Sequence, residues 1–435
     1  MGKLRTYLGV LTVVMASVAV TACQRPSPAS TNECTDCNVI LITLDTVRAD
    51  HLPCYGYGID TAPNVCGLAK EGVLFTNALS QSAWTLAAHA SILTGVYPHQ
   101  HGAEDRSTPI DDDAPRLARI LNRNDYATGA IVSMRFVNAN YGFARGFEDF
   151  DSSLDRRGND HTYAREIVDR AVSWIDDQPD PFFLWLHFYD PHNAFLHHDS
   201  GFPYAFQGID EVELDYAGWN DHPSSLVGYV QENKEALVSL YDGEIYYTDQ
   251  QIGRLLEHLR GTDRLDRTLV VVTSDHGEAF GDHQHVGHGK LLYQELIRVP
   301  LIFRIPSFTE GRTVETSQET KDIFHTVLEL LGIDAETGRG YNLLSDSRSH
   351  AYSEISNRMP HKRVAVVHDN WKMIYTFDGT VELYDLPRDP MEQMDVAEEN
   401  PEVVKELLAK MSADMNFVVM DEEALGHLRS LGYVN

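Results

Sequence analysis

The stretch Asn38-Val-Ile-Leu-Ile-Thr-Leu44 is a short, almost continuously apolar run, and Asp45 follows it directly. Near-continuous apolar character is typical of a strand that is covered on both faces of a parallel or mixed sheet. The same character recurs along the chain, at Ala127–Ser133, Phe182–Phe188, Thr268–Thr273 and Val299–Ile305. We therefore expect a sheet built around the first run.

Helical patterns separate these predicted strands. They lie at Asp60–Lys70, His89–Thr94, Arg116–Asn122, Tyr163–Asp176, Leu237–Leu259 and Asp322–Leu331. Alternating strands and helices predict the α/β class, here an α/β/α sandwich around a large mixed, mostly parallel sheet. We expect this main domain to span residues 38–344. The stretch Asn193–Asn233, rich in glycine, aromatic residues, histidine and aspartate, shows little periodicity and is predicted to form loops over the sheet edge.

The pattern changes beyond about Ser345. Three short strands and a helix are predicted there, at Arg363–His368, Trp371–Phe377, Val381–Leu386 and Pro401–Met411. This order indicates a small C-terminal α+β subdomain over residues 345–435, packed on the main domain.

Composition narrows the class of partner. The 435 residues include Asp+Glu 65 and Lys+Arg 35, for a formal net charge of -30. Such a surface repels nucleic acid and anionic headgroups, so we expect no nucleic-acid partner. The plainest reason for the acidity is solubility. An anionic substrate would need a local cationic site, which metal ions supply best.

The first residues resemble an export signal. Lys3 and Arg5 precede an apolar run over Tyr7–Val20, and small residues lead to Cys23. We interpret residues 1–22 as a lipoprotein signal peptide, Cys23 as the lipidated residue and residues 23–37 as a tether. An ordinary secretory signal and a short membrane anchor are the alternatives. The expected location is a bacterial cell envelope, on the periplasmic or surface side of a membrane that holds the lipid anchor.

Four other cysteines are compatible with an oxidising compartment. Cys34-x-x-Cys37 could be a redox or metal pair, but a small structural disulfide is favoured because no second such pair and no adjacent helix signal is present. Cys54 and Cys66 flank a turn-rich stretch and could close a short loop. The sequence does not settle the pairing.

Polar side chains follow several predicted strands. Asp45 follows the first run, Asp190 and His192 follow Phe182–Phe188, and Asp275 with His276 follows Thr268–Thr273. Sites in open α/β sheets form at the carboxyl ends of strands, so these positions are expected to converge. Each residue alone could be a cap or turn residue. As a set they match the carboxylate and imidazole ligands of Zn²⁺ and Mn²⁺, while carboxylates also suit Ca²⁺ and Mg²⁺.

Five segments together resemble the sulfatase family of the alkaline phosphatase superfamily, in one consistent order from Asn38 to the C-terminus. They are Asn38–Leu52, Trp84–Pro98, Thr273–Glu278 with His288-Gly289, Glu382–Pro390 and Leu428–Val434. The resemblance implies that Asp45, Asp275 and His276 bind one divalent metal ion that also contacts Thr85.

The same resemblance implies roles for three more histidines and one aspartate. His192 corresponds to the substrate-side histidine of the family. His288 occupies the place of a lysine and would contact the anion or protonate the leaving group, and His89 replaces an arginine. Asp190 and His288 could instead build a second metal site, although the Asp190-Pro-His192 spacing differs from that of two-metal phosphatases.

The departures from the family pattern concern the chemistry. Sulfatases convert a Cys or Ser nucleophile to formylglycine, but position 85 is Thr, whose methyl group prevents that aldehyde from forming. Ala87 replaces a proline, Thr46 replaces a second aspartate, and the usual Gly-Lys-Trp-His stretch is absent. A threonyl ester must be cleaved by water attack on sulfur or phosphorus. Phosphodiesterases, phosphonate hydrolases and phosphoethanolamine transferases of the superfamily use threonine nucleophiles, so the resemblance favours phosphoryl chemistry.

The sequence therefore predicts a metal-dependent hydrolase that cleaves a sulfate or phosphate ester through a covalent intermediate on Thr85. Two alternatives remain: a transferase that moves a phosphoryl-linked group onto an envelope acceptor, and a non-catalytic binding protein of the same fold. Oligomeric state is not predicted.

Overall fold

The computed structural model describes residues 34–154, 163–193, 224–335, 340–346, 348–355 and 362–415. The predicted signal peptide, Cys23, most of the tether, most of the stretch 193–233 and the terminal segment Leu428–Val434 lie outside these residues.

The strands of the described residues are β1 (Asn38–Leu44), β2 (Val73–Phe75), β3 (Ala78–Leu79), β4 (Ala127–Val132), β5 (Asp149–Asp151), β6 (Phe182–Phe188), β7 (Thr268–Ser274), β8 (Ala279–Phe280), β9 (Val286–Gly287), β10 (Arg298–Val299), β11 (Leu301–Arg304), β12 (Arg312–Val314), β13 (Gln318–Glu319), β14 (His350–Ile355), β15 (Arg363–His368), β16 (Trp371–Thr376) and β17 (Val381–Asp385). The helices are α1 (Pro63–Ala69), α2 (Thr85–Thr94), α3 (Pro98–His101), α4 (Leu117–Arg123), α5 (Tyr163–Asp177), α6 (Ser224–Glu232), α7 (Lys234–Gly261), α8 (Gln294–Ile297), α9 (Ile323–Leu331) and α10 (Pro401–Asp414).

The main sheet has eight strands in the order β12-β2-β11-β7-β1-β6-β4-β5. Its pairings are parallel except those of β11, which runs antiparallel to both β2 and β7. The predicted mixed, mostly parallel sheet is confirmed. The predicted strand Val299–Ile305 is interrupted at Pro300, which has no N–H group to donate to a ladder.

Both faces of the sheet are covered, as the continuous apolar runs require. Val39 and Leu41 of β1 pack into a core on one face, beneath α2, α4 and α9. Ile40 and Ile42 pack into the core on the other face, beneath α1, α5 and α7. Adjacent residues of the strand thus pack into the cores on opposite faces of the sheet.

A second, antiparallel sheet follows in the order β14-β15-β16-β17. One of its faces packs on residues of the main domain such as Leu79 and Leu292, and the other packs beneath Leu407 and Met411 of α10. The small C-terminal subdomain is confirmed, with β14 as a strand that the sequence analysis missed. Ser224–Glu232, within the stretch predicted to form loops, is helical instead.

The cysteines form two disulfides, Cys34–Cys37 and Cys54–Cys66. Cys34 and Cys37 are buried in the main core, and the Cys34 N–H donates to the carbonyl of Leu330. The folded body therefore includes the last residues of the segment that was predicted to be a tether.

Candidate active site

Three central strands end at one level. Leu44 of β1 pairs with Phe188 of β6 and with Ser274 of β7, so the residues that follow these strands share one edge of the sheet. The Asp45 N–H continues this pairing by donating to the Phe188 carbonyl at 2.8 Å. Asp45 and Asp275 therefore leave adjacent strands side by side.

Asp45, Asp275 and His276 form a group whose ligand atoms all lie within 4.8 Å of one another. All three side chains are fully buried. Asp275 Oδ1 accepts from the backbone N–H groups of Thr46 and His276, at 3.1 and 2.8 Å. His276 Nδ1 lies 2.9 Å from the Gly277 carbonyl, so Nδ1–H donates to it and Nε2 is left as the ligand nitrogen.

A divalent cation fits this group. Both carboxylate oxygens of Asp45 and the Oδ2 of Asp275 are buried without a hydrogen-bond partner. Burial raises the pKa of both carboxyl groups, and the charge of Asp45 raises that of Asp275 further. Unpaired buried carboxylates are costly unless a cation compensates them, so the donor set satisfies the chemistry of a metal site.

Thr85 is the first residue of α2 and reaches this group. Its Oγ1 lies 3.2 Å from His276 Nε2, and the side chain is buried. The helix begins at Thr85 itself, four residues before the predicted start, because Trp84 still has an extended backbone. The hydroxyl therefore stands at the positive end of the helix, where backbone N–H groups favour an anionic ligand.

His89, which the resemblance placed at the position of an arginine, is held by hydrogen bonds within the protein. Its Nδ1 lies 2.8 Å from the Thr85 carbonyl, and its Nε2 lies 3.1 Å from Thr43 Oγ1. Both ring nitrogens are therefore hydrogen-bonded within the protein. Burial lowers the pKa of His89 to about 3, so the ring is neutral and does not replace an arginine charge. His89 Nδ1 also lies 3.4 Å from Asp275 Oδ2. The residue positions Thr85 and Asp275.

His187 was missed by the sequence analysis. It projects from β6, fully buried, with Nε2 3.3 Å from Asp45 Oδ2. Burial lowers the pKa of His187 to about 4, so a neutral imidazole lies against the metal carboxylate. The sequence does contain a signal for His187, which is the one imidazole in an otherwise apolar strand. A buried imidazole needs a hydrogen-bond partner, so its presence there predicts a polar contact.

His192 and His288 lie on the outer side of the metal group. The His192 ring stacks on Tyr189 at 4.5 Å and lies 5.0 Å from the His288 ring, which is 4.3 Å from that of His276. His288 Nδ1 is 3.1 Å from Glu278 Oε2. Burial raises the pKa of Glu278 to about 8 and lowers that of His192 to about 3. The sequence predicts no role for Glu278, which ends the segment Thr273–Glu278.

Asp190 is not part of the metal group. Its Oδ1 accepts the Ala164 N–H at 3.0 Å, at the start of α5, so it acts as a helix cap. Among the described residues, the Asp45, Asp275 and His276 set is the one group of three ligand side chains close enough to share an ion. A second site on Asp190 and His288 is therefore not formed by these residues.

Comparison with known proteins gives one consistent result. The family model described as Sulfatase matches residues 37–333. Arylsulfatase K of Xenopus laevis is 24% identical over 445 residues, covering 87% of this chain and 82% of its own. N-acetylglucosamine-6-O-sulfatase of Bacteroides thetaiotaomicron is 22% identical over 486 residues, covering 89% and 86%. The crystal structure of phosphonate monoester hydrolase of Agrobacterium radiobacter superposes with a TM-score of 0.71 at 23% identity, covering 87% of this chain and 95% of that one.

Proposed function

The chain belongs to the sulfatase family, a family of metal-dependent ester hydrolases, and from this premise we propose that it cleaves a phosphoryl or sulfuryl ester with Thr85 as the nucleophile. The observation that supports the proposal most directly is the 3.2 Å approach of Thr85 Oγ1 to His276 Nε2. It lies beside three buried carboxylate oxygens, two of Asp45 and one of Asp275, that have no hydrogen-bond partner. A purely structural role at the start of α2 would not explain why the Thr85 hydroxyl lies against the candidate metal ligands.

A bound divalent ion would supply positive charge that lowers the hydroxyl pKa of Thr85 and polarises the ester oxygens. Thr85 first loses its hydroxyl proton to solvent, so its oxyanion form begins and ends the cycle. Thr85 Oγ1 then attacks the central phosphorus or sulfur, and the bond from that atom to the leaving oxygen breaks. Backbone N–H groups in the first turn of α2 stabilise the charge on the remaining oxygens. His89 holds Thr85 in place through the Thr85 carbonyl.

The leaving oxygen needs a proton, and we propose that the hydrogen-bonded His288–Glu278 pair donates it. The two side chains share one hydrogen bond, and the pair lies beside His276 at the outer side of the group. In the second half of the reaction a water molecule attacks the threonyl ester. The pair, now lacking that proton, takes one from the water, and Thr85 is regenerated.

Position 85 favours phosphoryl over sulfuryl transfer. A hydrated aldehyde can expel sulfate by collapsing to the carbonyl, but the methyl group of threonine closes that route. The second step must then be an attack on the central atom itself. We propose a phosphate or phosphonate ester as the preferred substrate class.

The test is turnover of nitrophenyl phosphate, a nitrophenyl phosphodiester, a nitrophenyl phosphonate and nitrophenyl sulfate by the purified protein. Thr85→Ala should lower kcat by several orders of magnitude, whereas Thr85→Ser should keep part of it. Thr94→Ala is the matched control, because Thr94 is a buried threonine of the same helix whose Oγ1 donates to the Ala90 carbonyl. If Thr85→Ala turns over at close to the parent rate, Thr85 is not the nucleophile.

We also propose attachment to a bacterial envelope membrane through a lipid on Cys23. No helix among the described residues is long and apolar enough to cross a membrane. Cys23→Ser should move the protein from the membrane fraction to the soluble fraction in cell fractionation. Continued membrane association of an uncleaved Cys23→Ser chain would indicate an uncleaved anchor instead.

A further inference from the structure

Two exposed arginines flank one aromatic ring beside the candidate nucleophile. The guanidinium carbon of Arg135 lies 4.7 Å from the centre of the Phe136 ring, and that of Arg106 lies 5.4 Å from it. Phe136 packs edge-on against Trp84, with ring centres 5.7 Å apart. Trp84 immediately precedes Thr85, so the pair stands next to the start of α2.

A second set of contacts places Arg135 near the same site. Tyr189 stacks on His192 and lies at the end of β6, directly after Phe188. Val132, the last residue of β4, pairs with His187 of β6. Arg135 follows shortly after Val132, so it leaves the same edge of the sheet as Tyr189. Arg135 therefore lies at the rim beside the end of β6.

Both arginines lack a carboxylate partner among the described residues. Asp105, the nearest acid in sequence, uses its carboxylate on the backbone and hydroxyl of Ser107 and on the Thr108 hydroxyl. Tyr141 holds the Arg106 segment by donating to the Arg106 carbonyl at 3.0 Å. The chain has a formal charge of -30, so two arginines around one ring without an acidic partner among the described residues are unusual. A ligand can supply that partner.

We propose that Arg106 and Arg135 form an anion-binding subsite at the rim, which holds a second anionic group of the ester substrate. The inference rests on the proposed function, because it assigns the scissile ester to the Thr85 site and the second anion to the arginines. Guanidinium groups bind carboxylate, sulfate and phosphate through paired N–H donors. Contact with the face of Phe136 limits the motion of the two side chains. The substrate is then an ester with at least two separated negative groups.

The experiment compares two inert ligand series by titration calorimetry with the metal-loaded protein. One series consists of alkylphosphonates, and the other of ω-carboxyalkylphosphonates of the same chain lengths. The phosphonate occupies the ester site in both, so the difference in Kd reports the second anion. At the best length we expect the carboxylated ligand to bind about tenfold more tightly, as for a charge-assisted hydrogen bond. The variant with both Arg106→Gln and Arg135→Gln should lose this preference and bind plain alkylphosphonates as the parent does.

A charge-matched control separates a subsite from general attraction. Arg119 and Arg312 are exposed, and Arg312 also stacks on an aromatic ring, Phe308, at 4.3 Å. Arg312 lies on β12, at the opposite edge of the sheet from β4 and β5. The variant with Arg119→Gln and Arg312→Gln should retain the full preference.

Every other outcome of these titrations counts against the subsite. Equal affinity for both series in the parent, or a preference that survives in the Arg106/Arg135 variant, overturns it and leaves the ester site standing. Loss of the preference in the Arg119/Arg312 control shows only non-specific attraction. Failure of either series to bind overturns the ester site as well. Turnover by Thr85→Ala with an unchanged preference would refute the nucleophile and leave the subsite intact.

Discussion

Asp275→Asn should make the metal-free protein more stable and at the same time remove its response to metal. The substitution keeps the shape of the side chain. Its Oδ1 can still accept from the N–H groups of Thr46 and His276. The new amide lies where Oδ2 stood, 3.3 Å from His276 Nε2, to which it can donate. The change is therefore mainly electrostatic.

The magnitude follows from the two buried carboxylates. Their ligand oxygens lie within 4.8 Å of each other. Two such charges repel by about 3 kcal/mol at an effective dielectric constant of about 20. Burial raises the pKa of both carboxyl groups, and the charge of Asp45 raises that of Asp275 further. We expect Asp275→Asn to raise the free energy of unfolding by about 1–3 kcal/mol in the absence of metal.

The assay is urea unfolding of chelator-dialysed protein, repeated with a saturating divalent ion. A ligand at about a thousand times its Kd should stabilise the parent by about 4 kcal/mol, and the variant by little. Asp242→Asn is the control, and we expect it to change the free energy of unfolding in the opposite direction. Asp242 is also a buried aspartate, but both its carboxylate oxygens are paired, with His51 and Tyr57. It should destabilise the protein by about 1–3 kcal/mol under both conditions.

Two results would refute this reasoning. A metal-free Asp275→Asn protein that is less stable than the parent would mean that the two carboxylates are not held in mutual repulsion. An unchanged stabilisation by metal would mean that Asp275 is not a ligand. Both results concern only the assignment of Asp275 as a metal ligand. The assignment of Thr85 as the nucleophile is tested independently by the turnover experiment.

Two further predictions concern buried groups. His187→Gln should weaken metal affinity about 10- to 100-fold, because His187 contacts the Asp45 carboxylate. The affinity is measured by competition with a chelating dye. His101→Gln is the control, since His101 is another buried neutral histidine, and it should leave the affinity unchanged. Asp249 is buried, and burial raises its pKa from 3.8 to about 6. Protonation of Asp249 thus stabilises the fold fully below pH 3.8, and this contribution is lost as pH rises through about 6. The free energy of unfolding should change by about 3 kcal/mol over this range. Urea unfolding of Asp249→Asn at several pH values should not show this change. A slope that persists in Asp249→Asn would assign the effect to another group.

The central strands could be predicted from the sequence because they are buried on both faces. Asn38–Leu44, Phe182–Phe188 and Thr268–Ser274 have no exposed residue, so their composition alone identifies them. β14 (His350–Ile355) was missed because its His, Ser and Glu residues interrupt the apolar pattern. Ser353 and Glu354 are nevertheless buried, and only the packing against the main domain explains that.

The candidate metal ligands could be predicted for a related reason. Asp45, Asp275 and His276 are polar residues placed immediately after apolar strands, where the sheet topology forces them together. His187 could not be found in this way, because it lies inside a strand and its partner, Asp45, follows the neighbouring strand. The role of His89 depended on where α2 begins: with Thr85 as the first residue, His89 lies one turn later and faces the Thr85 carbonyl.

The histidines also change how the site balances charge. His89, His187 and His192 are all buried, and burial lowers the pKa of each to between about 3 and 4, so they provide no positive charge near neutral pH. In the family pattern, arginine and lysine occupy the positions of His89 and His288. Two buried carboxylates would repel an anionic ester unless a cation offsets their charge. The proposed function therefore requires an ion within the group, and the proposed rim subsite adds the charges of Arg106 and Arg135. Loss of the ion should therefore abolish substrate binding as well as turnover, whereas loss of the rim arginines should affect only substrates that have a second anion.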